Sequence, residues 1–217
     1  MDFATARQNM VESQLRTNKV TDQRILDAMR EIPRESFVPT GLRNIAYIDE
    51  SVEVSQGRFI MQPMILARIL QISQIDKDDS VLVVGSSTGY MAAVASKLAA
   101  LVFALESDVE LAKQSESLLT KMAMDNIVIE NGPLASGWAK QGPFNVILID
   151  GAVDEVPGAL IDQLAEGGRL IAVINQNDLV SVATIFKKLN GHVSQTTYFD
   201  ANVNNLNEFT RESVFVL

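Results

Sequence analysis

Five small residues, Gly85-Ser86-Ser87-Thr88-Gly89, follow the apolar run Val81-Leu82-Val83-Val84, and Glu106 ends the next apolar run seventeen residues beyond Gly89. Small side chains let a backbone turn approach a ligand closely, and a carboxylate at the end of the neighbouring strand can accept both hydroxyls of a ribose. Two common phosphate-binding turns are excluded. A P-loop ends in Gly-Lys-Ser/Thr, whereas Gly89 is followed by Tyr90; a dinucleotide fingerprint needs glycine where Ser87 and Tyr90 stand.

The looser turn of Rossmann-like methyltransferases, roughly G-x-G-x-G, keeps two of its three glycines here, and together with Glu106 it favours S-adenosylmethionine over the other nucleotides. A purely structural strand-to-helix turn beside a solvated glutamate is the competing reading of the same residues.

The elements around this turn alternate. Short β-rich runs at 81–84, 101–105, 126–130, 145–150 and 169–174 are separated by helical stretches, MAAVASKLA, DVELAKQSESLLTKM and PGALIDQLAEGG. Apolar, non-alternating strands spaced by helices belong to a parallel sheet covered on both faces. The expected fold is therefore α/β, a doubly wound, mostly parallel Rossmann-like sheet of about seven strands, with His192–Phe199 and Ser213–Leu217 as closing strands. Ahead of it, Phe3 to Leu15 and Thr21 to Ile32 carry helical periodicity, with Thr21 and Asp22 placed to cap the second helix. GLRNIAYIDESVEVSQGRFIMQP reads as loop with short extended pieces, and MILARILQISQI as a helix. Residues 1–75 form an N-terminal helical and substrate-loop region and 76–217 the cofactor-binding domain of one compact unit.

Composition narrows the chemistry. The 217 residues include no cysteine and one histidine, which removes thiolate catalysis, disulfides and cysteine zinc sites. The formal net charge is −9; residues 1–50 carry seven basic against eight acidic side chains, leaving eleven against nineteen for the rest. Nucleic-acid partners, which rest on clustered Lys and Arg, are not expected. Neither is a membrane partner, since no stretch approaches the ~18 apolar residues of a spanning helix, and with no signal-peptide pattern at the start the expected location is cytoplasmic.

Read in order, MVESQLRTNKVTDQRILDAMREIPRESFVP, AYIDESVEVSQG, QPMILARIL, VLVVGSSTGYMAAVASKLA, ALES, VIENGPLASGW and FNVILIDGAVDEVPGALIDQLAEGGRL resemble the protein-L-isoaspartate O-methyltransferases across nearly the whole chain. The N-terminal helices and PRESFVP make the resemblance specific, because methyltransferases in general do not share them. It implies transfer of a methyl group from S-adenosylmethionine, giving S-adenosylhomocysteine, to the carboxylate of L-isoaspartyl residues in damaged protein or peptide substrates. Such a carboxylate is already ionised at neutral pH and needs no general base, so the protein's task is alignment and exclusion of water, and His192 is expected to be structural.

By the same resemblance, Gly85, Ser86, Ser87 and Gly89 meet the methionine part of the cofactor, Glu106 the ribose, and Asn131 and Gly132 the adenine, with Asn131 where the family usually has Asp. Asp150 faces the methyl-donor side, its alternative being a helix cap. The active loop departs from the family's Gln-Thr-Ile-Ser-x-Pro. Here Arg58-Phe59-Ile60-Met61-Gln62-Pro63 places Phe59 for the threonine and Met61 for the serine. Val83 replaces an acid, Ser87 a glycine, and Ala172-Val173-Ile174-Asn175 the family's Pro-Val-Gly. Arg58 has two readings, a clamp for a substrate carboxylate or a solvated loop cation. Two alternatives follow from the loop: a methyltransferase of this scaffold acting on another, apolar small molecule, or a cofactor-binding or interaction protein without turnover.

Overall fold

The computed structural model describes residues 2–177 and 180–209. The N-terminal helices begin where a carboxylate can take the free amides of a first turn. Asp2 caps α1 (Phe3–Met10) through Ala4 N and Thr5 N, and the chain continues as a π turn over Val11–Leu15. Asp22 caps α2 (Gln23–Glu31) through Arg24 N, and Ile25, Leu26, Ala28 and Met29 form its buried stripe. Thr21, expected to share that cap, instead binds Gln71 Oε1 through its own amide at 2.6 Å. The loop-like stretch contains the hairpin β1 (Val52–Ser55) and β2 (Arg58–Ile60), closed by Gln56-Gly57. Helix α3 (Pro63–Ser73) follows, with Pro63 in its first turn, where an amide would have no partner within the helix.

The main sheet is built from β3 (Ser80–Val84), β4 (Leu101–Glu106), β5 (Ile127–Asn131), β6 (Phe144–Val153), β7 (Leu164–Asn177), β8 (Val180–Leu189) and β9 (His192–Asp200). Its order is β5-β4-β3-β6-β7-β8-β9, parallel from β5 to β7 and antiparallel beyond. These seven strands match the expected architecture, and His192–Phe199 forms a closing strand as expected. The second one, Ser213–Leu217, lies outside the described residues.

Alternation along each strand divides the core in two. Val81, Val83, Val102, Ala104, Val146 and Leu148 face the side covered by α2, α3 and α4 (Tyr90–Ser96), in a cluster that also takes in Leu26 and Ile65. On the other face, Leu82, Val84, Leu105, Ile147 and Ile149 pack with Leu134, Leu160, Leu206 and Phe209, and Phe103 stacks edge-on against Trp138 and Phe144. This second layer is thin. The helix expected over PGALIDQLAEGG is only α6 (Gly158–Asp162), because Phe144 N bonds to Gln163 O at 2.8 Å and draws Leu164 into register with Phe144. The segment 201–209 crosses the strand ends and completes the layer with Leu206 and Phe209.

Candidate active site

At the centre of a doubly wound sheet, neighbouring connections leave in opposite directions and open a crevice at the carboxyl ends of the strands. Here that place is the junction of β3 with β4 and β6. The glycine turn forms its floor. Gly85 N and Ser86 N both donate to Leu105 O, at 2.9 and 3.0 Å, and Gly89 N donates to Ser86 O at 2.8 Å before α4 begins. Gly85, Ser87 and Gly89 have φ of +76°, +52° and +91°. Gly89 is required twice, since a Cβ there would also lie 2.4 Å from Ser115 Oγ. Ser87 holds the left-handed conformation that a glycine would adopt freely, so the turn keeps its shape at a strain of about 1–2 kcal/mol.

Glu106 is fully buried at the end of β4. Its Oε2 accepts from Ser87 N at 2.8 Å and its Oε1 from Asp108 N at 3.0 Å, at the cap of α5 (Val109–Lys121). Asn131 lies opposite it across the β4–β5 ladder and donates through Nδ2 to Glu106 O and Ser107 O, both at 2.9 Å, which leaves Oδ1 as its acceptor. Gly132 N donates to Glu106 O at 3.0 Å. The structure thus brings Gly85, Ser86, Ser87, Gly89, Glu106, Asn131 and Gly132 to one crevice.

Asp150 sits inside β6 with 8% of its surface exposed, and the next helix is capped by Pro157, so the helix-cap alternative for Asp150 is not realised. Burial pushes its carboxyl up to about 8, with Arg34 opposing and Glu106 adding to the shift. It lines a cavity of about 280 Å³, the open space at its mouth included, together with Arg58, Phe59, Met61, Gly151 and Leu206. The three active-loop positions and Asp150 therefore share one wall. Beneath them Arg34, from PRESFVP, is wholly buried; Nε donates to Ala46 O at 2.6 Å and Nη2 to Met61 O at 2.9 Å, and the guanidinium lies 4.9 Å from the Tyr90 ring centre. Arg34 thus fixes the backbone on which Met61 is presented.

Arg58 departs from both sequence readings. It is neither a solvated loop cation nor free to clamp a substrate: Nε reaches Glu106 Oε1 at 3.1 Å, and Nη2 reaches Ser107 Oγ at 2.8 Å and also bonds to Glu208. Burial works against its charge, yet the pairing with Glu208 and Glu106 holds its pKa above the ordinary arginine value. Leu206 lies over the glycines: a Cβ on Gly85 would meet its Cδ1 at 2.8 Å, and one on Gly151 its Cγ at 2.6 Å. His192 opens β9 at an exposed position and does not line the cavity beside Asp150.

Residue types on the floor suit an adenosyl cofactor, and in this conformation Arg58 and Leu206 occupy the space above them. The acid that would take the ribose is already bonded to Arg58, and the glycine face is covered by Leu206. Arg34, Ser107, Leu206 and Glu208 escaped sequence reasoning. For Arg34 the signal present was its place in PRESFVP, the element that makes the family resemblance specific; the other three act through contacts about 50 residues or more apart.

The profile of the Protein-L-isoaspartate(D-aspartate) O-methyltransferase (PCMT) family matches residues 5–203. The protein-L-isoaspartate O-methyltransferase of Koribacter versatilis is 40% identical over 198 residues, which cover 91% of this chain and 89% of that protein. Protein-L-isoaspartate O-methyltransferase 2 of Shewanella sediminis is 40% identical over 169 residues, 78% of this chain and 69% of its own length. Among solved structures, a protein-L-isoaspartate O-methyltransferase superposes with a TM-score of 0.81 at 26% identity, covering 93% of this chain and 66% of that one. The same fold is seen in a Plasmodium falciparum structure described as a complex with S-adenosyl-L-homocysteine, at a TM-score of 0.79 and 24% identity over 93% of this chain and 98% of that one. Sequence matches that run through the N-terminal helices, the glycine turn and the strand ends alike place this chain in the protein-L-isoaspartate O-methyltransferase family, whose members are S-adenosylmethionine-dependent O-methyltransferases.

Proposed function

We propose that this chain methylates the free carboxylate of L-isoaspartyl residues in protein or peptide substrates, with S-adenosylmethionine as donor and S-adenosylhomocysteine as product. The observation that carries the reading is the family match over residues 5–203, in a chain that keeps Gly85, Gly89 and Glu106 at one crevice. In this reading Gly85, Ser86, Ser87 and Gly89 face the methionine part, Glu106 the ribose, and Asn131 and Gly132 the adenine. The region 1–75 supplies the acceptor loop and 76–217 the cofactor platform. No helix of the described residues is long and apolar enough to cross a membrane, and we place the activity in the cytoplasm.

At the acceptor end the polar contacts come from a different element than usual. Phe59 and Met61 bring no hydroxyl, but Asp150 faces the same cavity, and a carboxyl held at about 8 is mostly neutral at pH 7. A neutral acid donates an O–H to an incoming carboxylate where an ionised one would repel it. The aromatic and thioether side chains help to keep water away from the reacting oxygen. An acceptor carboxylate near pKa 4 arrives ionised, so no residue has to remove a proton.

The test is transfer of labelled methyl from S-adenosylmethionine to an isoaspartyl peptide and to the same peptide with normal aspartate. Turnover on the first alone is expected. Equal label on both, or none on either with cofactor bound, would exclude the proposed acceptor.

A further inference from the structure

We infer that Arg58 and Leu206 act as an internal ligand of the cofactor groove, so that S-adenosylmethionine binds only in competition with them and these two residues set its affinity. The inference rests on the methyltransferase reading above and adds residues that control it.

Arg58 takes the place of the ribose. Its Nε donates to Glu106 Oε1 at 3.1 Å, where a ribose hydroxyl would donate, and the fully buried carboxylate gains a charged partner in place of a neutral one. Leu206 takes the place of the methionine part, since it packs on the bare faces of Gly85 and Gly151. The two move as a unit because Glu208, two residues from Leu206, bonds to both Arg58 and Ser107 Oγ. Main-chain bonds hold the segment down, from Ala152 N to Asn204 O and from Leu206 N to Ala152 O, each 2.9 Å. Asn175 Nδ2 adds a bond to Asn205 Oδ1 at 3.0 Å, and Asn175 stands where the family has the end of Pro-Val-Gly.

Closure leaves polar atoms unserved. The Ser86 and Ser87 hydroxyls in the turn and Asp150 Oδ1 on the cavity wall are buried without a hydrogen-bond partner among the described residues. An apolar leucine cannot satisfy them, and each such atom is costly to leave unbonded. A groove with these unserved atoms suits a polar ligand better than its own side chain, and the few bonds that hold 204–206 are displaceable. The closed state therefore lowers apparent affinity by the fraction of molecules that are open.

The experiment is titration calorimetry with S-adenosylhomocysteine on the full chain, on Arg58→Met and on Leu206→Gly, each first shown to melt cooperatively. Arg58→Met leaves Glu106 without its buried cation and risks misfolding; Leu206→Gly leaves that pair intact and keeps the test decisive. The expected result is binding at least tenfold tighter in a folded variant than in the wild type. Equal, measurable affinity in wild type and variants would overturn the internal ligand and leave the cofactor reading standing. No binding by any folded form would overturn both.

Discussion

The floor and the roof of the groove are made of different material. The floor, from Val81 through Gly89 to Glu106, is main chain fixed by parallel pairing, with Val81, Leu82, Val83 and Val84 all fully buried. The roof, made of the β1–β2 hairpin and residues 203–209, is held by an ion-pair network, a few hydrogen bonds to the sheet and scattered apolar side chains such as Leu206 and Phe209. A floor like this tolerates change at its functional positions only where the backbone still fits, as at Ser87. A roof like this changes function by exchanging a few side chains, without touching the fold. The family's scaffold and a self-filled groove therefore coexist in one chain.

The sharpest way to break this division is to cut the pair that joins the two parts. Glu106→Leu takes from Arg58 its fully buried partner, leaving only Glu208 and Ser107, and loss of one partner of a buried ion pair costs about 3–5 kcal/mol. Adding Arg58→Met removes the stranded charge, so the double variant is expected to regain most of that loss in urea melts. A double variant no more stable than Glu106→Leu alone would mean that Glu106 stabilises the floor through Ser87 N and Asp108 N, independently of the roof.

Next in size is the titration of Asp150. Its folded pKa is raised from 3.8 to about 8, mainly by burial, so the folded chain holds a proton that the unfolded chain releases between those values. Stability is therefore lost as pH rises, by about 1 kcal/mol per pH unit between roughly 5 and 8, and levels off above the folded pKa. Asp150→Asn has no proton to lose. Its melting temperature relative to wild type is expected to climb over that window, and a constant offset would mean that Asp150 is ionised in the fold. Isoaspartyl turnover should decline through the same pH in the wild type if the neutral acid holds the acceptor.

Restoring the family's loop by Phe59→Thr with Met61→Ser asks about the roof alone. The two hydroxyls are worth about 1 kcal/mol each as net hydrogen bonds, so a rise of roughly thirtyfold in isoaspartyl turnover is expected. An unchanged rate would indicate that the acceptor is held by Asp150 and main chain.

The same division decides what could be read without coordinates. The strands, their parallel order and the crevice were legible because apolar runs, turn glycines and a terminal acid are local signals. Asn131, Gly132 and Asp150 were reached through the family resemblance, which assigns roles by position in the motif. Arg58 was named as an active-loop residue, but its pairing was not legible: its partners are 48 and 150 residues away, and nothing near it in sequence distinguishes a buried arginine from a solvated one. Leu206 lies in a polar stretch, Asn202 to Glu208, that carries no periodicity, and it is buried only because Gly85 and Gly151 leave room above the sheet. The length of α6 was misjudged for a related reason, since a tertiary pairing of Leu164 overrode a helical pattern.

The smallest effect separates strain from function on the floor itself. Ser87 carries φ +52°, and its hydroxyl is buried without a partner among the described residues. Ser87→Gly relieves about 1–2 kcal/mol of left-handed strain and removes the unserved hydroxyl. Against this, glycine loses more backbone freedom on folding, which returns about 0.5–1 kcal/mol. The amide that donates to Glu106 Oε2 is kept. The net expectation is a gain of about 0.5–1 kcal/mol in urea melts. A loss would mean that the backbone freedom glycine gives up outweighs the strain it relieves; tighter binding of S-adenosylhomocysteine by the wild type than by Ser87→Gly would, independently, assign the serine hydroxyl to the cofactor.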